Sequence, residues 1–252
     1  MNIALIAGLC VILLGLIVGY NILAQQRKQI ESHKRQEMAK HIAVIDATEE
    51  LIGNAHNLPY SGTLLACLNK KILDSLKAMY EIDDSDKSIK QRINATQTQI
   101  DQIKQSYSNR ESTSFKVPDN DRQAISMLKL VKRLRSVVKA EHSKGRLATQ
   151  AFVAENARLE QMQLKINIEN VIKRANDAKN KGQMGTAQQL LKKAIDVVSP
   201  KTDEYSMEMK KHLEKMHGDI TQTLNTGHEK LQSEQAEEKS ELDELFAPKK
   251  KW

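Results

Sequence analysis

An uninterrupted apolar run lies near the start of the chain, where residues 3–24 (IALIAGLCVILLGLIVGYNILA) contain no charged side chain. As an α-helix, a run of this length covers roughly 33 Å, about the thickness of the hydrocarbon core of a bilayer. A secretory signal peptide instead has a basic start, a shorter apolar region and a small-residue cleavage site. Met1 and Asn2 carry no charged side chain, and residues 20–24 (YNILA) make a poor cleavage site. We therefore predict a retained membrane-spanning helix.

The basic residues around this run predict its orientation. Lys and Arg beside a spanning helix stay on the cytoplasmic side of the membrane. We therefore expect the N-terminus outside and the body of the protein in the cytoplasm, as a single-pass protein of a bacterial inner membrane. The bacterial source is inferred from the short outer segment and the lack of other targeting signals. Basic side chains follow the run and none precedes it: Arg27, Lys28, Lys34, Arg35 and Lys40.

Small residues recur along one stripe of the predicted span. Ala4, Gly8, Gly15 and Gly19 share this stripe, and residues 15–19 form a GxxxG sequence. Small residues let two helix backbones approach closely in lipid, where no hydrophobic effect drives helices together. The stripe therefore predicts self-association into a homo-oligomer or packing against a partner helix. The alternative is that glycine is simply common in membrane helices.

The composition of the chain indicates an all-α body. Aromatic residues make up only 4% of the chain, with 10 Gly and 4 Pro in 252 residues. No stretch shows the alternating β-branched and aromatic pattern of a strand. Such a chain suits long amphipathic helices and coiled coils better than the core of a compact enzyme. The predicted fold is a transmembrane helix followed by an elongated helical or coiled-coil body.

Breaks in the helical pattern divide this body into segments. Residues 57–62 (NLPYSG) predict a turn, since Pro and Gly interrupt helices. Asp83 to Asp86 predict a second turn with an N-cap, and a helix from about Lys87. The segments are a membrane anchor (1–24), a juxtamembrane helix (25–57), a hairpin region (58–107), a loop (108–120), a helical domain (121–224), an acidic linker (225–240) and a C-terminal motif (241–252).

The helix predicted from Asp121 to about Ser143 carries the most basic face of the chain. A basic amphipathic helix can bind anionic lipid, nucleic acid or an acidic partner. The alternative is a core helix whose cations are solvated. The net charge of +7 does not decide between them, because basic residues are also favoured near an anionic leaflet. The candidate basic patch consists of Lys129, Lys132, Arg133, Arg135 and Lys139.

Residues 168–200 resemble one tetratricopeptide hairpin. In that motif a glycine opens the turn, small alanines allow close helix packing and a proline ends the unit. Arg174 stands where an apolar residue is usual, and Pro200 comes one residue late. Because a lone repeat cannot bury its own faces, the resemblance implies a hairpin packed on neighbouring helices. The matching residues are Ala175, Ala178, Gly182, Ala187, Leu191, Ala194 and Pro200.

The last twelve residues form a short motif after an acidic, Gln-rich segment. Leu242, Leu245 and Phe246 are spaced i, i+3 and i+4, and Pro248 ends the pattern. Such anchors suit docking into a groove on a partner protein. The tail could instead lie at a membrane interface or fold back on its own body. The candidate partner-binding residues are Leu242, Leu245, Phe246, Lys249, Lys250, Lys251 and Trp252.

No catalytic motif is recognisable in the sequence. The chain lacks a phosphate-binding loop, a nucleophile elbow and an HExxH motif. Cys67 has no histidine at an activating spacing, and the seven histidines are scattered. We therefore expect no metal, no cofactor and no enzymatic activity, and we interpret the carboxylates as surface charge. The leading hypothesis is a membrane-anchored scaffold or adaptor, whose layout looks like that of bacterial division and envelope-assembly adaptors. The alternative is a membrane-tethered nucleic-acid-binding protein.

Overall fold

The described part of the chain is entirely helical. The computed structural model describes the backbone of residues 2–246 and the side chains of residues 15, 16 and 18–227. Seven α-helices and one 3₁₀ turn form within these limits, with no strand. The predicted all-α class is confirmed. The helices are α1 (Asn2–Gly53), α2 (Gly62–Ile82), α3 (Lys87–Ser106), α4 (Asp121–Ser143), α5 (Thr149–Asn180), α6 (Met184–Val198) and α7 (Glu204–Phe246).

The predicted membrane span has no support from the structure. Among the described residues, no helix combines the length and the apolar character needed to cross a bilayer. The run at residues 3–24 begins a helix that continues without a break through a highly charged segment to Gly53. The side chains of residues 3–14 and of Ile17 lie outside those described.

The chain divides into two units. Unit 1 contains the residues up to Glu111 together with Ser136–Asn156, and unit 2 contains Ser112–Arg135 together with the residues from Ala157 onward. In unit 1, α2 packs against both α1 and α3. The core between these helices consists of Ile45, Ile72, Leu76, Met79 and Ile89.

Polar caps define where the helices of unit 1 begin. The Ser61 hydroxyl accepts a hydrogen bond from the Leu64 N–H at 2.9 Å and caps α2. The Asp86 carboxylate accepts from the Ser88 N–H at 2.8 Å, so α3 begins at Lys87, as predicted. Side-chain oxygens at this position satisfy backbone donors that have no partner in the first turn.

The juxtamembrane segment has apolar residues at helical spacings, and most of them pack within the chain: Met38, Ile42, Ile45, Leu51 and Ile52. Ile45 is buried, while Met38 and Ile52 are half-buried against the same core of unit 1. Ile42, which belongs to the same series, remains 45% exposed. The predicted coiled coil is therefore not confirmed, because much of its apolar face already packs on α2 and α3.

Unit 2 contains a hairpin formed by α5 and α6 and closed by α7. Gly182 has φ +74° between the two helices. Its N–H donates to the Lys179 carbonyl, and the Gln183 N–H donates to the Ala178 carbonyl. This is a Schellman turn, which favours glycine because side chains rarely adopt positive φ. Ala175, Ala187 and Ala194 are buried in the resulting core with Leu213 of α7. The hairpin is present, but its relationship to the tetratricopeptide repeat is not confirmed.

Candidate functional site

A cavity of about 440 Å³ lies within unit 1. Its lining includes Ala66 and Cys67 of α2 and Ile100 and Ile103 near the end of α3. Leu147, in the turn between α4 and α5, also borders the cavity. The lining mixes apolar side chains with charged and polar ones such as Lys70, Glu141 and Arg146.

At one end of the cavity, the start of α2 requires a glycine. A Cβ built on Gly62 would lie 3.2 Å from Cδ1 and 3.3 Å from Cβ of Tyr107. The absence of a side chain therefore lets the end of α3 approach the start of α2. The Tyr107 hydroxyl donates to the Tyr60 carbonyl at 2.9 Å, and the Gly62 N–H donates to the Asn109 side-chain oxygen at 2.8 Å. These bonds fix one end of the cavity.

Glu141 contributes a buried carboxylate to the cavity wall. Its side chain is only 3% exposed, and Oε2 lies 3.3 Å from Nη1 of Arg146. Oε1 lies 3.5 Å from Nζ of Lys144, but it accepts no hydrogen bond from the described residues. A Schellman turn at Gly145 ends α4, with the Arg146 N–H donating to the Glu141 carbonyl at 2.9 Å. This turn brings Arg146 back toward the carboxylate.

The cations around the cavity differ in how they are paired. Nη1 of Arg146 lies 3.3 Å from both Glu141 and Oδ2 of Asp74. Within the described residues, Nζ of Lys70 donates one long hydrogen bond of 3.5 Å, to the Arg146 carbonyl. Lys104 is exposed at the cavity and has no ion pair within the described residues.

Glu155 is a second buried carboxylate in unit 1, and it binds the Ser61 hydroxyl that caps α2. The residue is 4% exposed, and Oε2 accepts a hydrogen bond from the Ser61 hydroxyl at 2.5 Å. The expectation that carboxylates serve only as surface charge is therefore wrong for Glu141 and Glu155. Sequence alone does not identify them, because charged side chains are rarely buried.

Cys67 does not have the properties of a nucleophile. Burial, with a smaller contribution from the negative charges of Glu141 and Glu155, raises the pKa of the Cys67 thiol to about 11. A reactive cysteine requires the thiolate, which cationic surroundings favour and burial opposes. The structure thus agrees with a structural role for this thiol.

The predicted basic patch is only partly available to a ligand. Lys129, Lys132 and Lys139 are exposed on α4. Arg135 instead donates to Glu160 at 2.5 Å and to the Gln163 side-chain oxygen at 3.0 Å. The helix buries its opposite face, including Val131 and Leu134. This arrangement matches a core helix with solvated cations.

Two sets of predicted residues lie near the ends of the chain: the helix-packing stripe and the C-terminal motif. Most of their side chains are not among those that the structure describes. Ala4 and Gly8 are among those not described, while a Cβ on Gly15 or Gly19 would meet no atom within 4 Å. The backbone of Leu242, Leu245 and Phe246 belongs to the end of α7, but their side chains are outside the described set. The remaining residues of the motif, Lys249, Lys250, Lys251 and Trp252, lie outside the described residues.

The described side chains contain no group of three His, Cys, Asp or Glu residues that could hold a metal ion. Comparison with protein-family models, with characterised proteins and with solved structures finds no match to this chain.

Proposed function

We propose that the protein is a helical adaptor that recruits a protein partner through the end of α7 and has no catalytic activity of its own. The observation that carries this proposal is the length of α7. Among the α7 residues with described side chains, Leu224 is the last that packs against the core of unit 2, and the backbone of the helix continues to Phe246. At 1.5 Å per residue, the extension is roughly 33 Å long.

A helical extension suits the C-terminal motif as a docking element. Helical geometry places residues spaced i, i+3 and i+4 on one face, which is the spacing of Leu242, Leu245 and Phe246. An amphipathic helix typically binds by laying such anchors into an apolar groove. Tertiary packing usually supplies most of a helix's stability, so we infer that a partner contributes packing at this end.

Membrane attachment is the second part of the proposal, and it rests on the sequence. The uncharged run at residues 3–24 and the basic residues after it favour a single-pass location in a bacterial inner membrane, with the body in the cytoplasm. In this arrangement the adaptor would hold its partner near the membrane. GxxxG-mediated pairing of Gly15 and Gly19 would make the adaptor dimeric.

The test is affinity purification of the tagged full chain from crosslinked membranes. The triple substitution Leu242→Ala, Leu245→Ala and Phe246→Ala should abolish recovery of a specific partner and leave membrane localisation unchanged. The matched control replaces Glu241, Asp243 and Glu244 of the same turn with their amides, and should retain the partner. Equal recovery with both variants would contradict docking through the apolar anchors.

Nucleic-acid binding through α4 is the alternative function. The pairing of Arg135 with Glu160 reduces the cationic charge available for phosphate contacts, so this alternative has less in its favour. Salt-sensitive DNA binding that is lost on reversing Lys129, Lys132 and Lys139 would replace the adaptor proposal.

A further inference from the structure

We propose that residues 112–120, which we call the strap, form a conformational switch in unit 2 that opens without unfolding the unit. In the closed state, which the structure shows, the Lys165 ammonium of α5 binds the strap. In the open state, the Tyr205 hydroxyl of α7 donates a hydrogen bond to Glu169 of α5. This inference concerns unit 2 only, so it depends neither on the C-terminal motif nor on membrane attachment.

The closed strap lies along one face of α5. Gln161, Lys165 and Lys173 are spaced by four and eight residues, so their side chains share a stripe of the helix. The Ser112 hydroxyl donates to Oε1 of Gln161 at 2.6 Å, and Nζ of Lys173 donates to the Asp119 carbonyl. Both ends of the strap are therefore bound to α5 through side chains.

Lys165 connects the middle of the strap to Glu169. Its side chain is only 14% exposed, and Nζ lies 3.3 Å from Oε1 of Glu169. The same Nζ donates to the Thr113 carbonyl at 2.7 Å and lies 5.2 Å from the centroid of the Phe115 ring. A partly buried cation is unfavourable without partners. The strap supplies two of these partners, so Lys165 stabilises the closed state.

The Tyr205 hydroxyl is the group that gains a partner when the strap opens. It is buried and makes no hydrogen bond within the described residues, which is unfavourable. Burial, followed by the negative charges of Glu169, Asp203 and Glu208, raises the pKa of Tyr205. The Asp203 carboxylate already accepts from the N–H and hydroxyl of Ser206. Glu169, whose charge acts most strongly on Tyr205, is therefore the acceptor that we assign to it.

Limited trypsin digestion of the full chain in detergent measures the opening. Lys116 is exposed, but Val117 is only 6% exposed, so cleavage between them requires the strap to leave α5. Cleavage between Lys193 and Ala194, in the core-facing helix α6, reports unfolding of unit 2 instead. Mass spectrometry of the fragments gives both rates.

Replacing the Lys165 ammonium should favour the open state. Lys165→Met keeps the aliphatic chain and removes the contacts of the cation, so cleavage after Lys116 should accelerate about tenfold while cleavage after Lys193 stays unchanged. Lys179→Met, an exposed change on the same helix, is the matched control and should leave both rates unchanged.

Tyr205→Phe should have the opposite effect. The closed state loses no hydrogen bond from this hydroxyl, whereas the open state loses its bond to Glu169. Cleavage after Lys116 should therefore slow about fivefold, with cleavage after Lys193 unchanged. A tyrosine that only packs in the core would not slow cleavage of the strap when its hydroxyl is removed.

Three results would overturn the proposal. The first is cleavage after Lys116 that changes in parallel with cleavage after Lys193 in every variant, because the strap would then open only when unit 2 unfolds. The second is equal acceleration by Lys165→Met and Lys179→Met. The third is cleavage after Lys116 that is unchanged or faster in Tyr205→Phe, which would remove Tyr205 from the open state.

Discussion

At the scale of single residues, the reactivity of the Cys67 thiol tests whether burial in unit 1 raises its pKa. Its pKa of about 11, against 9.0 for an ordinary thiol, lowers the thiolate fraction at pH 8 by about a hundredfold. In a Cys10→Ser background, we expect alkylation of Cys67 by iodoacetamide to accelerate about tenfold per pH unit from pH 8 to pH 10, because the thiolate is the reacting form. A rate that levels off by pH 9 would show an ordinary pKa.

Gly182 provides a second test at this scale. Its φ of +74° means that Gly182→Ala should destabilise the hairpin of unit 2 by about 1–2 kcal/mol, since a Cβ disfavours the left-handed conformation. Gly185→Ala is the matched control, because Gly185 lies in α6 without a positive φ and with open space around its Cα. That substitution should be neutral or stabilising. Hydrogen exchange of the α6 amides measures both, and equal protection in the two variants would contradict the account.

Glu141 and Glu155 show why the partners of the buried carboxylates in unit 1 could not be predicted from the sequence. Val138 and Glu141 follow Leu134 along the buried stripe of α4, and Glu155 occupies the corresponding position before Leu159 of α5. Helical spacing places both glutamates at core positions. This spacing is the sequence feature that indicates their burial. Their partners, Arg146 and Ser61, come from a turn and from another helix, and such proximity depends on tertiary structure.

At the scale of helices, the packing of α1 on α2 distinguishes an intrachain core from a coiled coil. Ile45 is 2% exposed and Ile42 is 45% exposed on the same helix. Ile45→Ala should lower the free energy of unfolding by about 2–4 kcal/mol through cavity formation, while Ile42→Ala should change it by less than about 0.5 kcal/mol. Urea denaturation followed by circular dichroism measures both. A comparable loss for Ile42→Ala would indicate that a second helix covers this face.

Helix boundaries were largely predictable, whereas the extent of α7 was not. Caps such as Asp86 and breaks such as Pro59 act locally, so sequence alone reveals them. Residues 225–240 lack an apolar stripe, and the sequence predicts an acidic linker there. They continue α7, because Glu, Lys, Gln and Ala are good helix formers and no Pro occurs between Pro200 and Pro248.

At the scale of the whole molecule, the sequence-based prediction of membrane attachment determines where the proposed adaptor would hold its partner. Leu14→Arg, at the centre of the run at residues 3–24, should cost about 2.5–3.5 kcal/mol of insertion free energy. It should therefore release the full chain from membranes on alkaline carbonate extraction. Gln25→Arg, beyond the end of the run, is the matched control and should stay in the membrane fraction. Identical extraction of the unmodified chain and Leu14→Arg would contradict a spanning helix.

The most direct test of the adaptor proposal places a photo-crosslinker along α7 in living cells. Benzoylphenylalanine at position 246, the last described residue of α7, should yield one discrete crosslinked protein. The same group at position 226, which is exposed nearer the core of unit 2, should not yield it. The Leu242→Ala and Leu245→Ala changes should remove the adduct at position 246. Adducts that are identical at both positions, or that survive those changes, would contradict recruitment through the end of α7.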